Sequence, residues 1–175
     1  MNPLRKVLYT ADAIVEGGRS GHARTNDRRL DVDLDVPTEM GGAGGAGTNP
    51  ERLFAVGYAA CFQSTLIGIG AARKIDLTRS RIMSRVRIGP VVGGGLGLAV
   101  TLDLESTQLG YSEAAALMEQ AHRACPYSRA TRDNIEVTLA VGGVPIAPPD
   151  APTPASAAAA GHGLVQHLPT ELHKG

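Results

Sequence analysis

A run of twenty residues without a formal charge, residues 53–72, constrains the fold more than any other feature. It is apolar or small on every face that a helix would present, and Cys61 lies near its middle. A helix that is apolar all round is buried in a protein core or in a membrane. The stretch is long enough to span a bilayer, but Gln63, Ser64 and Thr65 fall together inside it. We therefore expect a central helix that is covered by a sheet or by a second subunit.

Signals for both ends of this helix flank the stretch. A glycine-rich run occupies residues 41–47, and Thr-Asn-Pro-Glu follows it at residues 48–51. Thr48 and Glu51 fit a Thr-x-x-Glu capping box, and proline is favoured in the first helical turn. The two cations at residues 73–74 suit a helix C-terminus. These patterns predict a helix that is capped by Thr48 and ends next to the two cations.

Two further patterns predict the remaining elements. Alternating apolar and polar residues are typical of half-buried strands, and a serine or a following proline marks a helix end. The predicted strands are 6–16, 22–25, 30–36, 81–88, 98–104 and 135–141. A second helix is predicted from Ser112 to about Ala124, with a short turn or helix over residues 128–134. This irregular order favours an α+β fold over a regular β-α-β repeat.

Composition changes near the C-terminus of the 175-residue chain, where prolines and a run of alanines replace the alternating patterns. Segments of this kind cannot bury enough apolar surface to fold on their own. We therefore expect one domain over residues 1–146 and a flexible tail over residues 147–175.

Charge and cysteine content exclude several classes of function. Basic and acidic residues number 17 each, so no charge excess points to nucleic acid or to an anionic membrane. The N-terminus lacks the apolar segment of a secretory signal peptide, and we expect a cytoplasmic protein. Thiols stay reduced in that compartment, which favours a redox or catalytic use of the two cysteines over a structural disulfide.

Three common kinds of site fit the chain poorly. Residues 42–47 match Gly-x-Gly-x-x-Gly, but the β-α-β context of a dinucleotide site is missing. Cys61, Cys125, His22 and His122 are a possible ligand set, yet no Cys-x₂-Cys or His-x₃-His pair is present, so we expect no metal site. There is no Gly-x-Ser-x-Gly hydrolase elbow either.

The two cysteines suggest a redox-active dithiol. Cys61 lies within one predicted helix and Cys125 closes another, so tertiary packing can bring them together. A peroxide-reactive thiol needs a nearby cation and a second thiol to capture its sulfenic acid. Arg19, in a glycine-rich turn, can supply the cation. Glu51 lies about 15 Å before Cys61 along the helix, so it can hold an arginine but cannot itself touch the thiol. Two unrelated buried cysteines are the alternative.

Several motifs together resemble those of the organic hydroperoxide resistance (Ohr) proteins of the OsmC/Ohr family. The resemblance runs from about Leu8 to Val141. It is carried by residues 8–11 (Leu-Tyr-Thr-Ala), 17–21 (Gly-Gly-Arg-Ser-Gly), 41–51, 57–62 (Gly-Tyr-Ala-Ala-Cys-Phe) and 124–131 (Ala-Cys-Pro-Tyr-Ser-Arg-Ala-Thr).

The resemblance implies an OsmC-like α+β fold, with antiparallel sheets wrapped around a long central apolar helix. It also implies an intertwined homodimer with two active sites at the subunit interface. The implied activity is thiol-dependent reduction of organic hydroperoxides to alcohols. Cys61 would be the peroxidatic and Cys125 the resolving cysteine, Arg19 would stabilise the thiolate, and Glu51 would hold Arg19. No metal, flavin or other cofactor is implied, and a dihydrolipoyl dithiol, free or on a lipoylated protein, would re-reduce the disulfide.

An apolar surround suits alkyl or fatty-acid hydroperoxides better than hydrogen peroxide. The candidate pocket residues are Leu53, Phe54, Phe62, Met83 and Tyr127, although a plain core position is the favoured interpretation for each.

One residue departs from the family pattern. Arg52 stands where the family leads us to expect glutamine, and we expect it to compete with Arg19 for Glu51. Two alternatives to an enzyme stay open, namely an OsmC-like redox sensor and a ligand-binding protein without turnover.

Overall fold

The structure is a computed structural model that describes residues 3–105 and 108–147. The strands are β1 (Ala13–Glu16), β2 (His22–Thr25), β3 (Asp31–Asp33), β4 (Arg81–Pro90), β5 (Leu96–Glu105), β6 (Glu136–Val141) and β7 (Val144–Pro145). The helices are α1 (Pro50–Ala72), α2 (Tyr111–Ala124) and α3 (Pro126–Thr131). This irregular order confirms the predicted α+β class. Apart from Ala147, the predicted tail lies outside the described residues.

The strands form two separate sheets. β1, β2 and β3 make an antiparallel sheet, and the other strands form a sheet of order β4-β5-β6-β7. In this second sheet β5 and β6 run parallel, because α2 and α3 carry the chain back along the sheet between them. The prediction of antiparallel sheets is therefore wrong at this pair.

The N-terminal strands are shorter than the alternating pattern predicts. β1 is four residues long, whereas the pattern covers residues 6–16, and the segment before β1 leaves Leu8 88% exposed. β3 covers only three residues of the predicted strand 30–36. Beyond β3, Leu34 is buried and forms an isolated bridge with Thr48, which attaches the start of α1 to this sheet. The alternation predicts which side is buried but not where strand pairing stops.

The N-cap of α1 differs from the prediction. Asn49 occupies this position, and its Oδ1 accepts a hydrogen bond from the backbone N–H of Arg52 at 2.9 Å. Thr48 instead pairs with the sheet, since its N–H donates to the carbonyl of Asp33 at 2.9 Å. The predicted capping box of Thr48 and Glu51 is therefore wrong, because the sheet holds Thr48 outside the helix.

Only the C-terminal end of α2 agrees with the prediction. The helix begins at Tyr111 after an N-cap glycine, so Ser112 lies inside the first turn and is not the predicted cap. The predicted end at Ala124 is confirmed. Cys125, the residue before a proline, has an extended backbone and separates α2 from α3.

The core lies where α1 and α2 pack against the second sheet. α1 contributes one stripe of buried residues at four-residue spacing, Tyr58, Phe62, Leu66 and Gly70. Its other faces are less buried, and Val56 is 70% exposed. Within one chain α1 is thus covered on one side, whereas the sequence predicts cover all round. By length and composition α1 also passes for a membrane span, as the core helices of soluble proteins do.

Candidate active site

The structure brings the two cysteines together. Cys61 lies in the middle of α1, Cys125 lies at the junction of α2 and α3, and their Sγ atoms are 3.6 Å apart. Both are free thiols, Cys125 fully buried and Cys61 partly exposed. A disulfide bond is about 2.05 Å long, so the two sulfurs need to move by only about 1.5 Å to form one.

Local geometry fixes the position of Cys125. Because Pro126 follows it, the backbone of Cys125 is extended, and α2 cannot continue. Its own N–H still donates to the carbonyl of Ala121 at 2.8 Å, and its carbonyl accepts from the N–H of Arg129 at 2.9 Å. Cys125 is therefore hydrogen-bonded to both helices at once, which holds its side chain at their joint.

The environment of Cys61 within the chain favours its protonated form. Burial raises the pKa of the Cys61 thiol, the backbone N–H of Tyr127 acts to lower it, and the Cys125 thiol raises it further. A thiolate is the nucleophilic form of cysteine. The groups around Cys61 therefore favour its thiol over its thiolate.

A strong ion pair lies at the other end of α1. Arg19 donates from both terminal guanidinium nitrogens to the two carboxylate oxygens of Glu51, at 2.9 and 2.7 Å. Arg19 sits in a short 3₁₀ turn after Gly17, whose φ of 74° suits glycine. The hydrogen bonds to Arg19 lower the pKa of Glu51, and those to Glu51 raise the pKa of Arg19, so both groups are charged at neutral pH. The pairing of Arg19 with Glu51 matches the sequence-based expectation.

The chain does not bring this ion pair to the dithiol. Glu51 lies in the first turn of α1, and Cys61 follows about 15 Å further along the helix axis. The shift in the pKa of Cys61 is accounted for by burial, Tyr127 and Cys125, not by Arg19. One chain therefore presents two separate groups of site residues on the same helix.

The five candidate pocket residues fall into three environments. Phe54 and Tyr127 stack with ring centroids 6.3 Å apart, and Leu53 is partly buried beside Phe54 on α1. Phe62 is fully buried in the core. Met83 is 45% exposed on the face of β4 that points away from α1. The structure thus stacks Phe54 on Tyr127. Phe54 also packs against the core cluster that contains Phe62, whereas Met83 lies apart on the other face of β4.

Arg52 does not engage Glu51. Its guanidinium donates to the carbonyl of Gly47 at 3.3 Å. The expected competition with Arg19 is therefore wrong, because Arg52 points toward the glycine-rich loop before α1.

Two polar contacts near the site were not predicted from the sequence. The carboxylate of Asp35 accepts the N–H of Gly47 at 2.6 Å, which anchors the glycine-rich loop before Glu51. The phenol of Tyr58 donates to the hydroxyl of Ser128 at 2.9 Å, inside the core. The signal for this second contact was present in the sequence, since Tyr58 and Ser128 are each three residues from a cysteine.

His22, one of the residues considered above as a metal ligand, is bonded to aspartates of its own sheet. Both ring nitrogens of His22 are bonded to aspartates of β3, Asp31 and Asp33, at 2.8 Å each. Over residues 3–105 and 108–147, no group of three or more His, Cys, Asp or Glu side chains could hold a metal ion.

Comparison with known proteins places this arrangement in a family. A family model described as OsmC-like protein matches residues 42–140. An organic hydroperoxide resistance protein from Xanthomonas axonopodis pv. citri is 49% identical over 135 residues, covering 77% of this chain and 94% of that protein. The chain belongs to the OsmC/Ohr family.

Solved structures of OsmC/Ohr proteins share the fold. An organic hydroperoxide resistance protein from Legionella pneumophila is 45% identical and superposes with a TM-score of 0.73, covering 78% of this chain and 98% of that one. The protein OhrB of Bacillus subtilis is 40% identical with a TM-score of 0.72, covering 77% and 99% of the two chains. The mixed α+β architecture described above is therefore that of the family.

Proposed function

We propose that this protein is a thiol-dependent peroxidase that reduces organic hydroperoxides to alcohols. The observation that carries the proposal is the 3.6 Å distance between the Sγ atoms of Cys61 and Cys125. Two free thiols in contact can exchange electrons with a peroxide and end as a disulfide. The names of the relatives, which refer to organic hydroperoxide resistance, support the choice of substrate class.

The proposed reaction has two steps at sulfur. The Cys61 thiolate attacks one peroxide oxygen, the O–O bond breaks, and an alkoxide leaves and takes up a proton to become the alcohol. Cys61 is then a sulfenic acid. The Cys125 thiol attacks this sulfur, the S–O bond breaks, and the oxygen leaves as water with the thiol proton. The products are one alcohol, one water molecule and a Cys61–Cys125 disulfide.

The ion pair of Arg19 and Glu51 would supply the missing charge in a homodimer. The pair lies too far along α1 to reach Cys61 of its own chain, but α1 exposes apolar residues such as Val56 that a second copy can cover. The N-terminal segment adds Leu8 and Tyr9, both more than 80% exposed. We propose that these exposed apolar residues lie in the interface between two subunits. We propose that Arg19 of one subunit approaches Cys61 of the other.

In this arrangement Glu51 orients Arg19 and does not touch the substrate. Two parallel hydrogen bonds fix the plane of the guanidinium. The guanidinium then lowers the pKa of Cys61 and stabilises the negative charge that develops on the leaving oxygen.

The substrate would bind against aromatic and aliphatic side chains near Cys61. Phe54 and Tyr127 form a stacked pair, and Tyr127 also supplies the backbone N–H that faces the Cys61 sulfur. An alkyl group gains from burial against such a surface, whereas hydrogen peroxide has no apolar part to bury. We therefore propose a preference for alkyl or fatty-acid hydroperoxides.

Regeneration would use a dihydrolipoyl dithiol, free or carried on a lipoylated protein, in the cytoplasm. A dithiol reduces the Cys61–Cys125 disulfide by two successive thiol–disulfide exchanges. All the electrons then pass through sulfur, and no metal or other bound cofactor takes part.

The proposal is tested by peroxide consumption with dihydrolipoamide as reductant. Tert-butyl hydroperoxide and hydrogen peroxide are compared side by side, with Cys61→Ser as the matched control. We expect sustained turnover, faster with the organic peroxide, and none in Cys61→Ser. A single oxidation without turnover would indicate a sensor, and binding of an apolar ligand without oxidation would indicate a binding protein.

A further inference from the structure

We infer that Tyr58 and Ser128 are positioning residues that hold Cys125 against Cys61 and so decide the fate of the oxidised sulfur. The effect of these two residues on catalysis rests on the proposed function. Their effect on the distance between the two thiols does not. No charge or ligand is needed for it, only the packing of α3 against α1.

α1 and α3 contact each other in a defined register. Tyr58 lies three residues before Cys61 on α1, and Ser128 lies three residues after Cys125 on α3. Residues three apart are neighbours on one face of a helix. Two neighbouring contacts therefore join the same two helical segments. One is the hydrogen bond between Tyr58 and Ser128 at 2.9 Å, and the other is the contact between the two Sγ atoms at 3.6 Å.

Because it is buried, the hydrogen bond between Tyr58 and Ser128 can fix the position of α3. The side chains of Tyr58 and Ser128 are both fully buried. The oxygen of Tyr58 also lies 3.3 Å from the hydroxyl of Thr131, which donates to the carbonyl of Tyr127 at 2.9 Å. A buried hydroxyl without a partner is unfavourable, so α3 is held in the one register that satisfies these groups. Apolar side chains of the same shape would fill the space without selecting that register.

The position of α3 determines two contacts of the Cys61 sulfur. α3 is only six residues long, and the residues at its start supply both the Cys125 thiol and the Tyr127 N–H that faces the Cys61 sulfur. A short helix has little packing area of its own to fix its position. A shift or rotation of α3 therefore moves the resolving thiol and the hydrogen-bond donor away from Cys61 together.

Two reactions compete for the Cys61 sulfenic acid. Attack by the Cys125 thiol forms the disulfide and releases water. Attack on a second organic hydroperoxide instead transfers another oxygen to Cys61, giving a sulfinic acid and a second alcohol. The first reaction depends on the position of Cys125, and the second does not. The hydrogen bond between Tyr58 and Ser128 thus sets the ratio of disulfide to sulfinic acid.

The first experiment measures thiol positioning without any peroxide. Wild type, Tyr58→Phe and Ser128→Ala are equilibrated with mixtures of reduced and oxidised dithiothreitol, and the fraction of Cys61–Cys125 disulfide is measured by mass spectrometry. We expect the equilibrium constant for the disulfide to fall roughly tenfold in both variants, which corresponds to about 1.4 kcal/mol.

The matched control is Tyr111→Phe. The phenol of Tyr111 donates to the carbonyl of Pro145 on β7 at 3.0 Å, so this variant also loses one tyrosine hydrogen bond, but between α2 and β7. We expect it to leave the thiol equilibrium unchanged. Thermal unfolding of every variant identifies a temperature at which all are folded, so that a loss of stability alone does not alter the readout.

The second experiment adds excess cumene hydroperoxide to the reduced proteins and measures the ratio of disulfide to sulfinic acid at Cys61. We expect a roughly tenfold lower ratio in Tyr58→Phe and Ser128→Ala than in Tyr111→Phe. The inference would be overturned if both variants unfolded at lower temperatures but kept the wild-type ratio and the wild-type dithiothreitol equilibrium. The hydrogen bond between Tyr58 and Ser128 would then be a purely structural contact. A shifted dithiothreitol equilibrium in a protein that consumes no peroxide would instead refute the proposed function and leave the positioning role intact.

Discussion

The two ends of the candidate site are built in opposite ways. The ion pair of Arg19 and Glu51 is charged and partly exposed, and it is held by a turn between two short strands. The dithiol is uncharged, largely buried and held by two helices that hydrogen bonds fix in register. Under the proposed function, one chain would position the two thiols and leave the activation of Cys61 to a charge that lies elsewhere in the fold.

This contrast also explains the raised pKa of Cys61. Burial is the largest cause, and burial is what the dithiol needs in order to keep Cys125 close and water away. A cation inside the same core would be costly to desolvate. Placing Arg19 on a separate, half-exposed turn avoids that cost, provided that a second subunit brings the turn to the sulfur.

The largest expected effect is at the dithiol. Cys61→Ser removes the atom that attacks the peroxide, so we expect turnover to fall to the uncatalysed background. Cys125→Ser keeps this atom, so one equivalent of hydroperoxide should still take Cys61 to the sulfenic acid. A second equivalent should then oxidise it to the sulfinic acid, which accumulates. Rapid-quench mass spectrometry distinguishes the two variants. Normal cycling of Cys125→Ser with dihydrolipoamide would show that Cys125 is not the resolving thiol.

Removal of the charge should have a smaller but still large effect. Arg19→Ala is expected to raise the pKa of Cys61 and to lower the rate of peroxide reduction at neutral pH by about a hundredfold, the usual cost of losing one electrostatic contact in a transition state. The rate should recover partly at higher pH, where the thiolate forms without help. Stopped-flow rates from pH 6 to 10 measure this shift.

Arg52→Gln is the control for the loss of a neighbouring cation. Arg52 bonds the carbonyl of Gly47 and not Glu51, so we expect its pH profile to match the wild type. If Arg19→Ala and Arg52→Gln behaved alike, general surface charge and not the ion pair would set the pKa of Cys61.

The smallest expected effect concerns the sheet that carries the Arg19 turn. Hydrogen bonds to Asp33 and Asp31 on β3 raise the pKa of His22, and Glu16 lies opposite His22 on β1. Because the folded-state pKa is raised, this stabilisation is full below the pKa of the unfolded chain and is lost as the pH rises through the folded value. All these groups are exposed, so the effect should be small.

Thermal unfolding between pH 5 and 9 measures the contribution of His22. The unfolding temperature of the wild type should decline slightly over this range relative to His22→Ala, whose curve should lack this component. Parallel curves for the two proteins would show that the contacts of His22 with Asp31 and Asp33 add nothing to stability.

The sequence predicted most reliably the features that local chemistry decides. The uncharged run gave the length of α1, and the proline after Cys125 separated α2 from α3. The alternating pattern from residue 98 onward gave β5. Each of these depends on neighbours in sequence, and each agrees with the structure.

The features that the sequence did not predict depend on distant partners. Thr48 has the pattern of a helix cap, but pairing with β3 takes its backbone into the sheet. The alternation over residues 6–16 continues where no neighbouring strand remains to pair with it, so β1 is short. The parallel pairing of β5 with β6 follows from the path of the intervening helices, which alternation does not encode.

The residues of the candidate site were predictable from local motifs, but the directions of some side chains were not. The motifs that resemble the OsmC/Ohr family pointed to Cys61, Cys125, Arg19 and Glu51. They could not show that Met83 faces away from α1 or that Arg52 points toward the glycine-rich loop. Both depend on side-chain directions that only the packed structure determines.

The most direct test of the account is subunit complementation between Arg19→Ala and Cys61→Ser chains that carry different affinity tags. The mixed dimer contains one site in which an intact Cys61 faces an intact Arg19 of the other subunit. The account predicts that this heterodimer regains the organic hydroperoxide reductase activity of one wild-type site, although each parent homodimer is nearly inactive. A heterodimer no more active than its parents would contradict the account, because Arg19 would then act on Cys61 of its own chain or not at all.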